Sequence, residues 1–290
     1  MVSRSFSTGG CLRASSLGWL PVVGAVLAAA GGCTTTSFVA VDPYPCVDAG
    51  AVSCGPGLLD GLVGYWRLND GAGSPTAHDW SSWGNDGALV NLDPAAAWLT
   101  GGPEGTALDG QGRGYVTVAD SSSIDSIVNR VTVAAWIALD QTNTEFATAV
   151  SRQMGTGFGQ SYHLSINSTQ QAALYITTPA QLVYLTDPST APLQTWIHLA
   201  GTWDGTQARL YVNGVEVASA AIDGAFGAET NPVLLAGNAN GADRKVSEVV
   251  PGRLNDVMLY RRALGPGEIA RLAAGPLLPA GAARPDAGGR

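Results

Sequence analysis

"WIHLAGTWDGTQARLYVNGVEVASA", Trp196 to Ala220, holds three short runs rich in β-branched and aromatic residues, parted by Asp204-Gly205 and Asn213-Gly214. Both dipeptides tolerate the positive φ that tight hairpin turns require. Around Asn213-Gly214 the residues alternate at period two, which puts Leu210 and Val212 on one face and Arg209 and Tyr211 on the other. The expectation is an antiparallel meander with a buried side and a wet side.

Working outward, strand-like runs recur between turn clusters: 62–68, 115–118, 131–139, 147–151, 162–166 and 173–176 before the meander, then 233–236 and 253–260 after it. One helix is expected, from Pro266 to Ala273, with proline at its first position, Glu268 in its first turn and Gly275 as its stop. Many short strands and one terminal helix predict an all-β fold, a two-sheet antiparallel jelly-roll sandwich with one short C-terminal helix, over residues 58–275. Residues 276–290 are Pro, Ala and Gly without periodicity and read as a disordered tail.

The N-terminus has a different character. Arg4 and Arg13 precede an apolar run from Leu17 to Ala30 that ends in small residues, so 1–32 reads as a signal peptide. The run is shorter than the roughly 20 residues a spanning helix needs. Ala30-Gly31-Gly32-Cys33 resembles a bacterial lipobox, with Ala30 where such boxes usually carry Leu. That resemblance makes Cys33 the lipid attachment point and 33–57 a lipidated tether, with ordinary secretion after leader cleavage as the alternative. Several acyl chains, each buried CH₂ contributing about 0.8 kcal/mol, would hold the chain on a membrane it does not cross. Cys11 leaves with the leader, and an oxidising export route favours a disulfide between the remaining Cys46 and Cys54. The localisation expected is the cell envelope, at the outer membrane or cell surface.

Acidic residues outnumber basic ones, 23 to 15, and loss of Arg4 and Arg13 widens the gap. That argues against nucleic acid and anionic membrane surfaces as partners, and leaves the lipid as the expected link to a membrane.

Six blocks then resemble, in order, laminin-G-like jelly-roll domains of the concanavalin A-like lectin/glucanase superfamily. They are "GLVGYWRLNDGAG" (61–73), "DWSSWGNDG" (79–87), "ALDGQGRGYVTV" (107–118), "VTVAAWI" (131–137), the meander, and "GRLNDVMLYRRALGPGEIARL" (252–272). The resemblance implies two curved antiparallel sheets whose rim loops and concave face bind glycans or other extracellular partners. It also implies calcium at the sandwich edge, held here by Asp79, Asn85, Asp109 and Asp256, which carry the oxygens a hard cation needs. The alternative is that Asp79 and Asp109 accept N–H bonds within their own turns.

The superfamily holds hydrolases as well as lectins, so the site must decide function. No two acids stand at i, i+2 or i, i+4, as a glycosidase strand would present them; Asp120/Asp125 and Asp243/Glu248 lie five apart in loop-like sequence. No G-x-S-x-G elbow occurs. His163 and His198 fall in strands and read as hydrogen-bonded sandwich residues, whereas His78 reads as exposed. Trp66, Trp136, Trp196 and Trp203 read as packing residues. Trp80 and Trp83, in a loop, are candidate ligand-binding residues or rim caps, and Arg113, where the family usually has Asp, is a candidate for an acidic partner. The expected function is therefore a non-enzymatic envelope binding or adhesion module recognising a glycan or an extracellular protein. The alternatives are a glycoside hydrolase with unusual carboxylate placement and a purely structural envelope lipoprotein.

Overall fold

The computed structural model describes residues 57–157, 159–279 and 282–284. Cys33, Cys46 and Cys54, with the expected leader and nearly all of the tether, lie outside the described residues.

In chain order the strands are β1 (Leu62–Trp66), β2 (Thr76–Ala77), β3 (Gly87–Val90), β4 (Trp98–Gly102), β5 (Gly105–Asp109) and β6 (Tyr115–Val118). Helix α1 (Ser122–Asp125) follows, then β7 (Val131–Leu139), β8 (Ala147–Gln153), β9 (Gln160–Ile166), β10 (Gln171–Thr177) and β11 (Leu182–Thr190). The meander supplies β12 (Ile197–Trp203), β13 (Gln207–Val212) and β14 (Val215–Ala221). The chain closes with β15 (Val233–Leu235), β16 (Asn238–Asn240), β17 (Lys245–Ser247), β18 (Gly252–Tyr260) and α2 (Pro266–Ala274).

Two antiparallel sheets result. The first runs β14-β13-β12-β7-β18-β5-β4, with β1 also paired to β18; the second runs β11-β10-β9-β8-β15-β6-β3-β2. The hairpin β16-β17 stands apart from both. The Asn213-Gly214 turn behaves as its chemistry dictates, with φ of 48° and 81°. Alternate residues of the two sheets interdigitate as the core: Val133, Ile137, Leu199 and Leu210 from the first meet Leu164, Leu174 and Ile176 from the second. The sheets come so close at Gly201 that a Cβ there would lie 2.4 Å from Leu174 Cδ1.

One expectation needs correction. The outer face of the meander is not wet at Tyr211, which is buried with Tyr65, Met258 and Tyr260 beneath Ile269 and Leu272 of α2. An amphipathic helix lying on a sheet buries the sheet's second face, turning the two-layer plan locally into three. Glu268 fixes the start of that helix by accepting from Gly265 N (2.9 Å) and from both Arg262 Nη atoms (2.8 and 3.0 Å). The chain lies on the domain beyond residue 275 as well: Leu277 is buried in the same cluster, and Arg284 Nε donates to Asp79 O at 2.9 Å.

Strand β18 serves two partners along one edge, β5 at Arg253 and Leu254 and β1 from Val257 onward. The changeover is a register irregularity between Asn255 and Met258, where Asp256 takes φ of 46°. Such bulges re-aim a side chain. Here the carboxyl of Asp256 turns into the protein and accepts from Tyr65 OH at 2.6 Å.

Candidate functional site

The loop that the sequence marked as a metal edge is a fastener. Asp79 is fully buried, and its carboxylate accepts from Tyr65 N (2.9 Å), Ser81 N (2.8 Å), Ser81 Oγ (2.6 Å) and Asn85 N (2.7 Å). Asn85 Nδ2 donates to Val63 O and Ser123 Oγ, and its Oδ1 accepts from Ser121 Oγ. Asp109 accepts from Gln111 N in its own turn. Among the described residues no three His, Cys, Asp or Glu gather as a metal group. At Asp79 itself N–H and O–H groups already occupy both carboxylate oxygens, which leaves that residue closed to a hard cation. Both tryptophans of this loop are partly buried and engaged by neighbours. Trp80 lies against Arg67, whose Cζ is 4.8 Å from the ring centroid, and Trp83 Nε1 donates to Leu62 O at 3.0 Å. Arg113 is exposed and donates to Gln111 Oε1.

A different surface collects the chemistry. On the second sheet the residues between the core positions lie on the side away from the sandwich core, and the register of four strands aligns Tyr184, Tyr175, His163 and Ser151 in one row across β11, β10, β9 and β8. His163 and Ser151 are covered and buried, so the row reaches solvent at Tyr175 and Tyr184. Tyr175 and Tyr184 stack at 4.3 Å and 22°. Tyr175 and His163 stack at 5.5 Å, and Phe146 meets both edge-on at 5.8 and 5.4 Å. Leu182 and Tyr184 leave the edge of this face exposed.

At the inner end of the row stands Glu248. Its carboxylate accepts from Asn238 Nδ2 (2.8 Å) and Asn240 Nδ2 (3.2 Å) of β16, with Thr148 Oγ1 at 3.4 Å and His163 Nε2 at 3.5 Å. Thr148 Oγ1 also lies 2.7 Å from His163 Nε2. Burial raises the Glu248 carboxyl above its ordinary value against the lowering effect of these donors, and burial pushes the His163 imidazole down to about 3. The histidine is therefore neutral at physiological pH. Tyr175 is raised to about 12 by burial and by the neighbouring Tyr184 and Glu248. Beside Phe146 and Glu248 opens a hollow of about 290 Å³, closed on its other side by the 141–145 loop with Asn143, Thr144 and Glu145.

An aromatic platform next to a hydrogen-bonded carboxylate and amide cluster can hold the apolar face of a sugar ring while accepting bonds from its hydroxyls. His163 was read from the sequence as a hydrogen-bonded sandwich residue. It is one, through Thr148, and it lies buried on the outer side of the sheet against Phe146 and Tyr175. Phe146, Tyr175, Tyr184, Asn238, Asn240 and Glu248 were missed as site residues. The signal for them was weak: "ALYIT" and "LVYLT" (173–177 and 182–186) each place a tyrosine out of phase with the apolar core positions. Of the tryptophans read as packing residues, Trp66 and Trp203 are fully buried, whereas Trp136 and Trp196 are only partly buried. Arg253 Cζ lies 5.7 Å from the Trp196 ring centroid. The acid pair Asp120/Asp125 is engaged by the buried Arg152 Nη2 at 2.7 and 2.8 Å.

The fold is a two-sheet antiparallel jelly-roll sandwich. Residues 109–270 match the family model of the concanavalin A-like lectin/glucanases superfamily, and the chain belongs to that superfamily. Among solved structures it is similar to domain 4 of AbnA, an extracellular arabinanase from Geobacillus stearothermophilus, in complex with arabinotriose. The identity is 20%, coverage is 73% of this chain and 98% of that one, and the TM-score is 0.52. The binding domain of Paraclostridial Mosquitocidal Protein 1 aligns at 17% identity over 74% of this chain and 52% of that one, TM-score 0.55. Trypanosoma rangeli sialidase aligns at 18% identity over 79% of this chain and 35% of that one, TM-score 0.54. The chain thus spans about half of the second of these proteins and about a third of the third. At these identities the likeness establishes the fold. No curated protein matches the chain.

Proposed function

We propose that this protein is a non-enzymatic glycan-binding module displayed on the cell envelope, and that the outward face of its second sheet is the binding surface. The observation that carries the reading is the row Tyr184, Tyr175, His163 ending at Glu248, an aromatic platform with an exposed outer edge beside a fixed set of hydrogen-bonding groups. The similar arabinanase domain holds arabinotriose, which accords with a glycan as ligand. A lipid on Cys33 would display the module at a membrane; among the described residues no helix is long and apolar enough to span one. The test is retention of the domain on immobilised polysaccharides, followed by assay of the eluate for new reducing ends. Retention without new ends supports the module, and new ends contradict it.

One observation favours glycoside hydrolysis as a second reading: Glu145 and Glu248 line the same hollow, and the Glu248 carboxyl is raised as a general acid requires. Against it, Glu145 sits exposed on a loop, and two asparagine amides hold the Glu248 carboxylate.

A further inference from the structure

We infer that the saccharide held on this face is an uncharged one, and that sugars bearing a carboxylate are rejected; the inference rests on the glycan-binding reading above. Among the described residues, Glu145 and Glu248 are the only charged ones lining the hollow beside Phe146. The one titratable base of the aromatic row, His163, is buried and stays neutral, so it offers no positive charge to an anion.

Two cations lie close by. Arg244 lines a separate hollow with Tyr115 and Leu234. Lys245 stands opposite Asn240 in the β16-β17 register and lines a hollow with Asn240 and Asp243, whose carboxylate offsets its charge. Arg113, one residue from Gly112 on the lip, donates to Gln111 and does not line the hollow. A formal charge of −8 on the whole chain sets the background field in the same sense.

Acid-bearing sugars are otherwise held by paired Arg or Lys donors, which match a carboxylate in charge and geometry. This face presents the opposite, the carboxylates of Glu145 and Glu248. A carboxylate brought against them meets like charge in a partly desolvated setting, where repulsion is several times stronger than in water.

The test is a titration of the lipid-free mature protein with matched pairs, lactose against sialyllactose and neutral pentose or hexose oligosaccharides against oligogalacturonates of equal length. The expected result is binding of neutral saccharides, with acidic counterparts at least about tenfold weaker at low salt. The gap should shrink in about 0.5 M salt. It should also narrow in Glu145→Gln, an exposed substitution that leaves the core untouched. Acidic saccharides binding as well as neutral ones, and losing affinity in Tyr184→Ala, would overturn the charge inference and leave the glycan reading standing. Binding of neither class would overturn both.

Discussion

Tyr184 stacks on Tyr175 with ring centroids 4.3 Å apart, and one of the pair is exposed while the other is partly buried. The inner ring is fixed by His163 and Phe146, so the outer ring rests on a supported base rather than on a mobile side chain. Asn167 Nδ2 adds a hydrogen bond to the Tyr184 hydroxyl at 3.0 Å. A rigid aromatic plane loses little entropy when a ligand lies on it.

The buried carboxyl in the β18 bulge should shape the stability profile with pH. Burial and the nearby Glu104 raise Asp256 to about 7, against the lowering effects of the Tyr65 bond and Arg67. In the unfolded chain the group ionises near its ordinary value of about 4. Its contribution is thus present in full at low pH and is lost as pH rises from about 4 to about 7. Asp256→Asn keeps an acceptor for Tyr65 and removes the ionisation. The variant should gain stability relative to wild type, by a few kcal/mol, between urea titrations at about pH 4.5 and about pH 8. Parallel profiles for the two proteins would contradict this.

His163 and His198 act in the opposite sense. Burial depresses them to about 3 and about 4, so the unfolded chain takes up protons first and stability falls as pH drops from about 6.5 through those values. Their ring C–H resonances should stay constant between about pH 5 and about pH 8. A titration midpoint near 6.5 for either ring would show that it is solvated.

The close approach of the sheets predicts a cost at a small residue. Gly201→Ala would drive a Cβ to 2.4 Å from Leu174 Cδ1 and 3.1 Å from Cγ, forcing the core leucine or the strand to shift. A loss of about 1–3 kcal/mol in chemical denaturation is expected. An unchanged midpoint would mean that the sheets pack less tightly at this point.

Much of this molecule was legible from its sequence, because period-two alternation and turn dipeptides report directly on half-buried strands. The meander, β6, β7 and the C-terminal helix lie where those signals put them. Strands β2, β3, β4 and β5 were not anticipated: they are short and rich in Gly and Thr, so they carry little apolar periodicity. Strand β11 contains Asp187 and Pro188, which break the pattern, and it survives because it is an edge. The site was less legible than the fold. Asp79 and Trp83 stood out as loop residues, yet sequence cannot tell a carboxylate that fastens a turn from one that awaits an ion. Tyr175, Tyr184 and Glu248 become neighbours only through the pairing of β9, β10 and β11 and the path of the segment after β17.

Membrane attachment is testable apart from the fold. Cys33→Ala should shift the protein from the membrane fraction to the soluble fraction of cells that export it. Unaltered membrane association in that variant would contradict the lipid anchor.

The central claim is that the outward face of the second sheet holds the ligand, and calorimetric titration of Tyr184→Ala against the best-retained saccharide tests it most directly. Tyr184 is exposed and lies outside the core, so the variant should fold with nearly unchanged stability. The expected result is an affinity lowered about tenfold or more, near 1.4 kcal/mol, with the unfolding midpoint preserved. Wild-type affinity in the folded variant would contradict the assignment of this face.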